Sequence, residues 1–211
     1  MGGPGRTAVQ AAVSLLIVLI TARHKTHDLA MSLILFASFL TCLFVFSRAR
    51  RSRFVVPRDR PTKREWLRRT GNALAIADAV VLLVYGSSYP SWNALLGLAM
   101  LWGALGLFRY SLATHGTVSP NIAFTPGAPS ALMTSGPYRW VRHPIYSAYL
   151  LMWGGIAVGV PTTVSWMALA AMYLWYRSAA LTEEAEISGS PNGDAYKQYR
   201  RTTGRFVPLI G

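Results

Sequence analysis

The chain has 211 residues, 52% of them hydrophobic and only 14% charged, with a mean hydropathy of +0.31. Soluble domains carry about 25% charged residues, so this balance argues against a water-soluble globule and excludes a disordered chain, which would be poor in apolar residues. Yet 21 Lys and Arg stand against 8 Asp and Glu, a net charge of +13, so the oily character and the basic character each need a reason.

A bilayer span takes about 20 mostly apolar residues. In chain order, the stretches that approach this are 8–22, 29–47, 72–89 with Asp78 as its one charge, 91–108, 144–160, and 162–181 with Arg177 near its end. The expectation is an all-α fold, an integral membrane bundle of five to six transmembrane helices; five result if the first stretch lies shallow or re-enters. Arg6 precedes an apolar run, but Arg23, His24 and Lys25 follow it in place of a small-residue cleavage pattern, so the segment is expected to stay in the mature protein. The chain divides into residues 1–110, with the first spans and a basic loop, and 111–211, where polar motifs gather.

Charge orients the bundle, because cytoplasmic loops are enriched in Lys and Arg. With six spans and the N-terminus inside, 19 of the basic residues fall on one side and only Arg23 and Lys25 on the other. Both termini are then expected to face the cytoplasm, in a multi-pass protein of a bacterial inner membrane. The run Arg48–Arg69, with ten basic residues, reads as a juxtamembrane segment that attracts anionic lipid headgroups. A nucleic-acid site would want interleaved aromatics for stacking, and only Phe54 and Trp66 lie there.

Within the spans, Gly155 and Gly159 have the small-xxx-small spacing of close helix approach, and Cys42 reads as packing. Asp78 is a carboxylate in oil, expected to point into the bundle or a cavity and placed among candidate substrate-side groups. His24-x-x-His27 lacks further ligands, so no metal is expected.

The chemistry concentrates after residue 110. Ser135-Gly136-Pro137 is a turn signal. Pro144 suits the first position of a helix, which puts His143 at or near its N-cap. That helix start, flanked by Arg139, Arg142 and His143, is a site for an anion such as a carboxylate. After the last span come Glu183, Glu184 and Glu186, three of the eight acids. Because a short connection joins the last two spans, the basic helix start and the acidic helix end are neighbours. A ligand carrying both a carboxylate and a cation fits across them.

In combination and order, Gly136-Pro137-Tyr138-Arg139, Arg142-His143-Pro144-x-Tyr146, Glu183-Glu184 and the closing Tyr196-Lys197-Gln198-Tyr199 with Arg205-Phe206-Val207-Pro208 resemble the isoprenylcysteine carboxyl methyltransferase family. Phospholipid N-methyltransferases and bacterial thiol methyltransferases share the pattern. The resemblance covers about residues 110–211 and implies a membrane methyltransferase using S-adenosylmethionine, held between a cytoplasmic loop and the C-terminal tail. It implies that Leu132, Met133 and Tyr138 line the cofactor pocket, and that His143, Pro144 and Tyr146 form its floor. Glu183 then holds the cofactor's polar end with Glu184 in support, Arg142 meets its carboxylate, and Tyr196 and Tyr199 close a lid. Arg142, His143 and Glu183 are the residues on which catalysis is expected to depend. The family's eukaryotic members carry an Arg near the position of Ala179 and a His where Ser130 stands. Here Arg177 is the nearest Arg, a candidate for substrate binding, and the two differences point away from a prenylcysteine substrate.

The acceptor is a lipophilic or membrane-accessible carboxylate, thiol or amine. An amine must also lose a proton, to Asp78, His115 or Glu186. Two other classes stay open on the sequence: an NADPH-dependent membrane reductase of the sterol-reductase type, and a non-enzymatic transporter or scaffold.

Overall fold

The computed structural model describes the backbone of residues 4–54, 62–116 and 132–208, and the side chains of 28–54, 65–116 and 132–208. The His24 and His27 side chains and Ser130 lie outside the described residues. Among those described, every regular element is helical, in agreement with the all-α expectation.

Helix α1 runs over Pro4–Arg53. Its last turn holds Arg50, Arg51 and Arg53, where the negative end of the helix dipole favours cations. The helix is continuous through Arg23–His27, so the loop expected between the first two apolar stretches is not formed. The segment from Thr21 to Asp28 contains neither Gly nor Pro, and charge alone does not break a helix. Helix α2 is Thr62–Tyr85 and α3 is Ser91–Thr114, joined by a 3-10 turn at Gly86–Ser88. Helices α4 (Pro144–Gly159) and α5 (Thr163–Ser188) form a hairpin, followed by the short α6, Gly193–Thr202. Thr162 caps α5 by accepting a hydrogen bond from the Ser165 amide at 3.2 Å.

Three of the described segments are long and apolar enough to cross a bilayer: Asp28–Arg53, Glu65–Ser88 and Ser91–Thr114. Helix α4 is shorter, 16 residues or about 24 Å at 1.5 Å per residue, against a hydrocarbon core of about 30 Å. The outward faces are apolar: Phe44, Ile76, Leu83, Trp102, Met167 and Leu174 are all more than half exposed. A continuous apolar exterior of this kind suits lipid rather than water, and the chain is an integral membrane protein.

The interior is held by close backbone approach. Helices α3 and α4 pack over the largest area, and Gly97 makes this possible. A Cβ there would lie 2.6 Å from the Gly155 carbonyl oxygen and 3.0 Å from Gly159 Cα. Gly155 and Gly159 therefore do what their spacing suggests, and Leu35 of α1 fills the space beside them. Buried polar side chains are tied to backbone on neighbouring helices: Ser32 Oγ donates to Leu82 O at 3.3 Å and Asn93 Nδ2 to Val158 O at 3.0 Å. Such bonds remove a cost that lipid cannot relieve.

One end of the bundle gathers the close of α3, the segment 132–143, the start of α4, the end of α5 and α6. Asp78 is not there. It is fully buried on α2 beside Ser165, whereas Glu183 lies 18 residues further along α5, about 27 Å away at 1.5 Å per residue. The expectation that Asp78 serves the substrate side is therefore corrected. Its carboxyl belongs to the α2–α5 contact.

Candidate active site

The polar end is built from the turn upward. Gly136 has φ +57°, the left-handed region that costs a residue with a side chain about 1–2 kcal/mol. A Cβ there would also sit 2.3 Å from Thr114 Oγ1, so glycine lets the turn dock against the last residue of α3. The turn carries Tyr138 into the interior, where its hydroxyl lies 2.8 Å from His115 Nε2.

The C-terminal tail then clasps this segment. Val141 and Gly204 pair in a parallel bridge. The Arg142 amide donates to Gly204 O at 2.8 Å and the His143 amide to Arg205 O at 3.1 Å. Ser147 Oγ donates to Phe206 O at 2.8 Å, and the Tyr199 hydroxyl donates to Tyr138 O. The helix start was expected to be an open anion site. The two amides that precede it, of Arg142 and His143, are taken by the tail.

The two adjacent glutamates play different parts. Glu184 is 3% exposed and sits among cations. Arg142 Nε donates to its Oε1 at 3.0 Å, and Arg205 donates to both oxygens at 3.1 and 3.2 Å. His143 Nε2 lies 3.2 Å from the same carboxylate. Burial opposes its ionisation, but the hydrogen bonds from His143, Arg205 and Arg142 outweigh that and hold the carboxyl well below the usual carboxylate range. Arg142 also donates from Nη1 to Thr203 O, and its Nη2 is buried without a partner. Arg142 and Glu184 thus form a latch that fastens the tail, with Arg205 as its third member.

Glu183 faces the other way. Its side chain is 24% exposed, one oxygen accepts from the Tyr146 hydroxyl, and the other lies 3.5 Å from His143 Nδ1. No arginine or lysine pairs with it among the described residues. Burial and the neighbouring Glu186 and Glu184 carboxylates push its pKa up, against the opposing pull of His143 and Tyr146. One carboxylate is paired with two arginines, and the other has no arginine or lysine against it among the described residues. A floor of rings lies below: His143 stacks on Tyr146 at 5.4 Å and 9°, and Tyr146 on Tyr176 at 5.2 Å.

His143, Tyr146, Glu183 and Tyr138 therefore come together as the motif spacing suggests, with Pro144 buried beneath them. Leu132 and Met133 are half-buried at the start of the described 132–208 segment. Tyr196 is 2% exposed, and its hydroxyl has no hydrogen-bond partner among the described residues. Arg177 is exposed and makes no ion pair among the described residues. Two participants were not singled out from sequence. Arg205 stood only in a tail motif, although a buried carboxylate demands counter-charge. Tyr176 lies seven residues before Glu183, two turns along the same helix face.

Comparison with known proteins points the same way. Residues 91–188 match the family model of phospholipid methyltransferase, a stretch holding α3, the Arg-His-Pro helix start and both glutamates. A protein-S-isoprenylcysteine O-methyltransferase of Schizosaccharomyces pombe is 35% identical over 80 residues, 37% of this chain and 34% of that protein. A cobalt-zinc-cadmium resistance protein, CzcN, of Cupriavidus metallidurans is 30% identical over 109 residues, 50% of this chain and 49% of that one. The chain thus spans half the length or less of these curated relatives. The resemblance read from the motifs, to membrane methyltransferases of the isoprenylcysteine type, is borne out.

Proposed function

We propose that the protein is a membrane methyltransferase that moves a methyl group from S-adenosylmethionine to a lipophilic or membrane-accessible acceptor, and that the open face of Glu183 receives the donor's cationic end. The observation that carries this reading is the division of labour within one acidic pair. Glu184 has its charge cancelled by two arginines, while Glu183 keeps its charge beside a stack of rings. A carboxylate next to aromatic faces suits a sulfonium or ammonium, through charge pairing and cation–π attraction. It suits a polyphosphate poorly. This favours methyl transfer over the NADPH reductase reading, and the family match supports the same choice over a transporter or scaffold.

S-adenosylmethionine supplies an electrophilic methyl, so no metal is needed. The protein's part is alignment and exclusion of water. Glu183 and the His143–Tyr146 floor orient the donor, Tyr138 lines the side toward α3, and the latched tail closes the site. Leu132 and Met133 complete the pocket wall. Arg177, exposed on α5, is the candidate to meet an acceptor headgroup. The basic end of the bundle is assigned to the cytoplasmic, anionic leaflet by the positive-inside rule.

Radiolabelled methyl transfer from S-adenosylmethionine into lipid and small-thiol fractions tests this. Label in either fraction, lost in Glu183→Ala, supports the reading. No label in any fraction contradicts it.

A further inference from the structure

The half-buried His115 pairs with the buried Tyr138, and the donor-binding reading gives His115 no part. His115 follows the last residue of α3, and its Nε2 lies 2.8 Å from the Tyr138 hydroxyl, with the rings edge to face at 89°. The other ring nitrogen, Nδ1, is buried and has no hydrogen-bond partner among the described residues. A buried polar atom left unpaired is costly, and a ligand group meeting it would relieve that cost. The pair belongs to the site. Tyr138 stands on the segment that the tail clasps, and its carbonyl accepts from the Tyr199 hydroxyl.

We infer that His115 Nδ1 takes the proton of a protic methyl acceptor, a thiol or an amine, with Tyr138 holding the imidazole in the tautomer that leaves Nδ1 free. This rests on the methyltransferase reading and names the acceptor class for that same site. The Tyr138 oxygen accepts from Nε2–H, which leaves a lone pair on Nδ1. The acceptor's sulfur or nitrogen forms the new bond to the methyl carbon. The carbon–sulfonium bond breaks with its electron pair going to sulfur, and the acceptor's proton passes to Nδ1. A sulfonium and a neutral imidazole become a thioether and an imidazolium, so charge and atoms balance. Burial holds the His115 pKa below its ordinary value, which keeps the ring in its proton-accepting form at neutral pH. The other titratable groups whose charge acts on the pair are Tyr199 on α6 and Glu183 on α5, and no lysine or arginine pairs with either member among the described residues. Of the three bases open on the sequence, Asp78 lies at the far level of the bundle, whereas His115 stands at the site.

The test uses the full chain in lipid nanodiscs with three probes: 1-octanethiol, octylamine and octanoate. His115→Gln keeps an amide N–H at the Nε2 position for Tyr138 and removes the base. It should lower kcat for the thiol or amine on the order of 100-fold at pH 7, the range of general-base catalysis, with the loss shrinking as pH rises and the thiol ionises. Affinity for S-adenosylmethionine by calorimetry should stay unchanged. Independently of turnover, ¹⁵N NMR of histidine-labelled protein, assigned by the signal missing in the variant, should show His115 protonated on Nε2 alone. Transfer to octanoate only, a loss equal at every pH, or an Nδ1–H tautomer overturns the inference while the methyltransferase reading stands. Failure of the unaltered protein to bind S-adenosylmethionine overturns both.

Discussion

Glu184→Ala removes the acceptor that Arg142, Arg205 and His143 share. The Arg142 side chain is 2% exposed and that of Glu184 4%, so the truncation leaves a guanidinium buried without its counter-ion. Removing one partner of a buried pair costs about 3–5 kcal/mol, and the tail loses its fastening at Arg205 in the same step. Glu183→Ala is the control. That carboxylate is 24% exposed, with one neutral hydroxyl and one histidine as neighbours, so its loss should disturb folding far less. The assay is limited trypsin proteolysis of the reconstituted protein, which reads cleavage at Arg200, Arg201 and Arg205, beside its thermal midpoint. Glu184→Ala should free the tail to cleavage and lower the midpoint, while Glu183→Ala should leave both close to the parent. Equal protection in Glu184→Ala and the parent would refute the latch.

Acid should have the same effect as that truncation. The folded Glu184 carboxyl is held below its ordinary value, so it contributes stability that is complete above the unfolded pKa of about 4.3. That contribution fades as pH falls toward the folded value, and tail protection measured across pH should weaken in that direction only. Glu183 shifts the opposite way. Affinity for a cationic ligand, which needs the ionised form, should fall on acidification at higher pH than an ordinary carboxylate would give, as calorimetry at stepped pH would show. Gly97→Val should destabilise by about 1–3 kcal/mol, the range for overpacked cores, because even a Cβ would meet the Gly155 carbonyl at 2.6 Å; an unchanged thermal midpoint would contradict the packing account. Asp78→Asn should leave S-adenosylmethionine affinity unchanged, since Asp78 and Glu183 lie at different levels of the bundle, and a tenfold loss would place Asp78 back at the site.

The parts of this architecture that were legible in the sequence are those set by local rules. Pro144 marked a helix start, Gly155 and Gly159 marked a close crossing, and the scarcity of acids drew attention to Glu183 and Glu184. The continuity of α1 was obscured because Arg23, His24 and Lys25 look like a loop between spans, although no residue there breaks a helix. The different duties of the two glutamates follow from where Arg205 arrives. That is a tertiary fact, since the tail is brought to Glu184 by the Val141–Gly204 bridge and the hydrogen bonds beside it. The same stretch of tail takes the Arg142 and His143 amides just before the helix start. Asp78 was separated from the site by register, which hydropathy does not report.

The central claim is that Glu183 carries the open charge that receives the donor. Calorimetry of S-adenosylmethionine with the reconstituted protein and with Glu183→Ala tests it most directly. A hydrogen-bonded charge contact contributes about 1.5–3 kcal/mol, so the variant should bind about 10- to 100-fold more weakly while its fold and tail protection persist. Equal affinity in the two proteins, or binding of NADPH in place of S-adenosylmethionine, would contradict it.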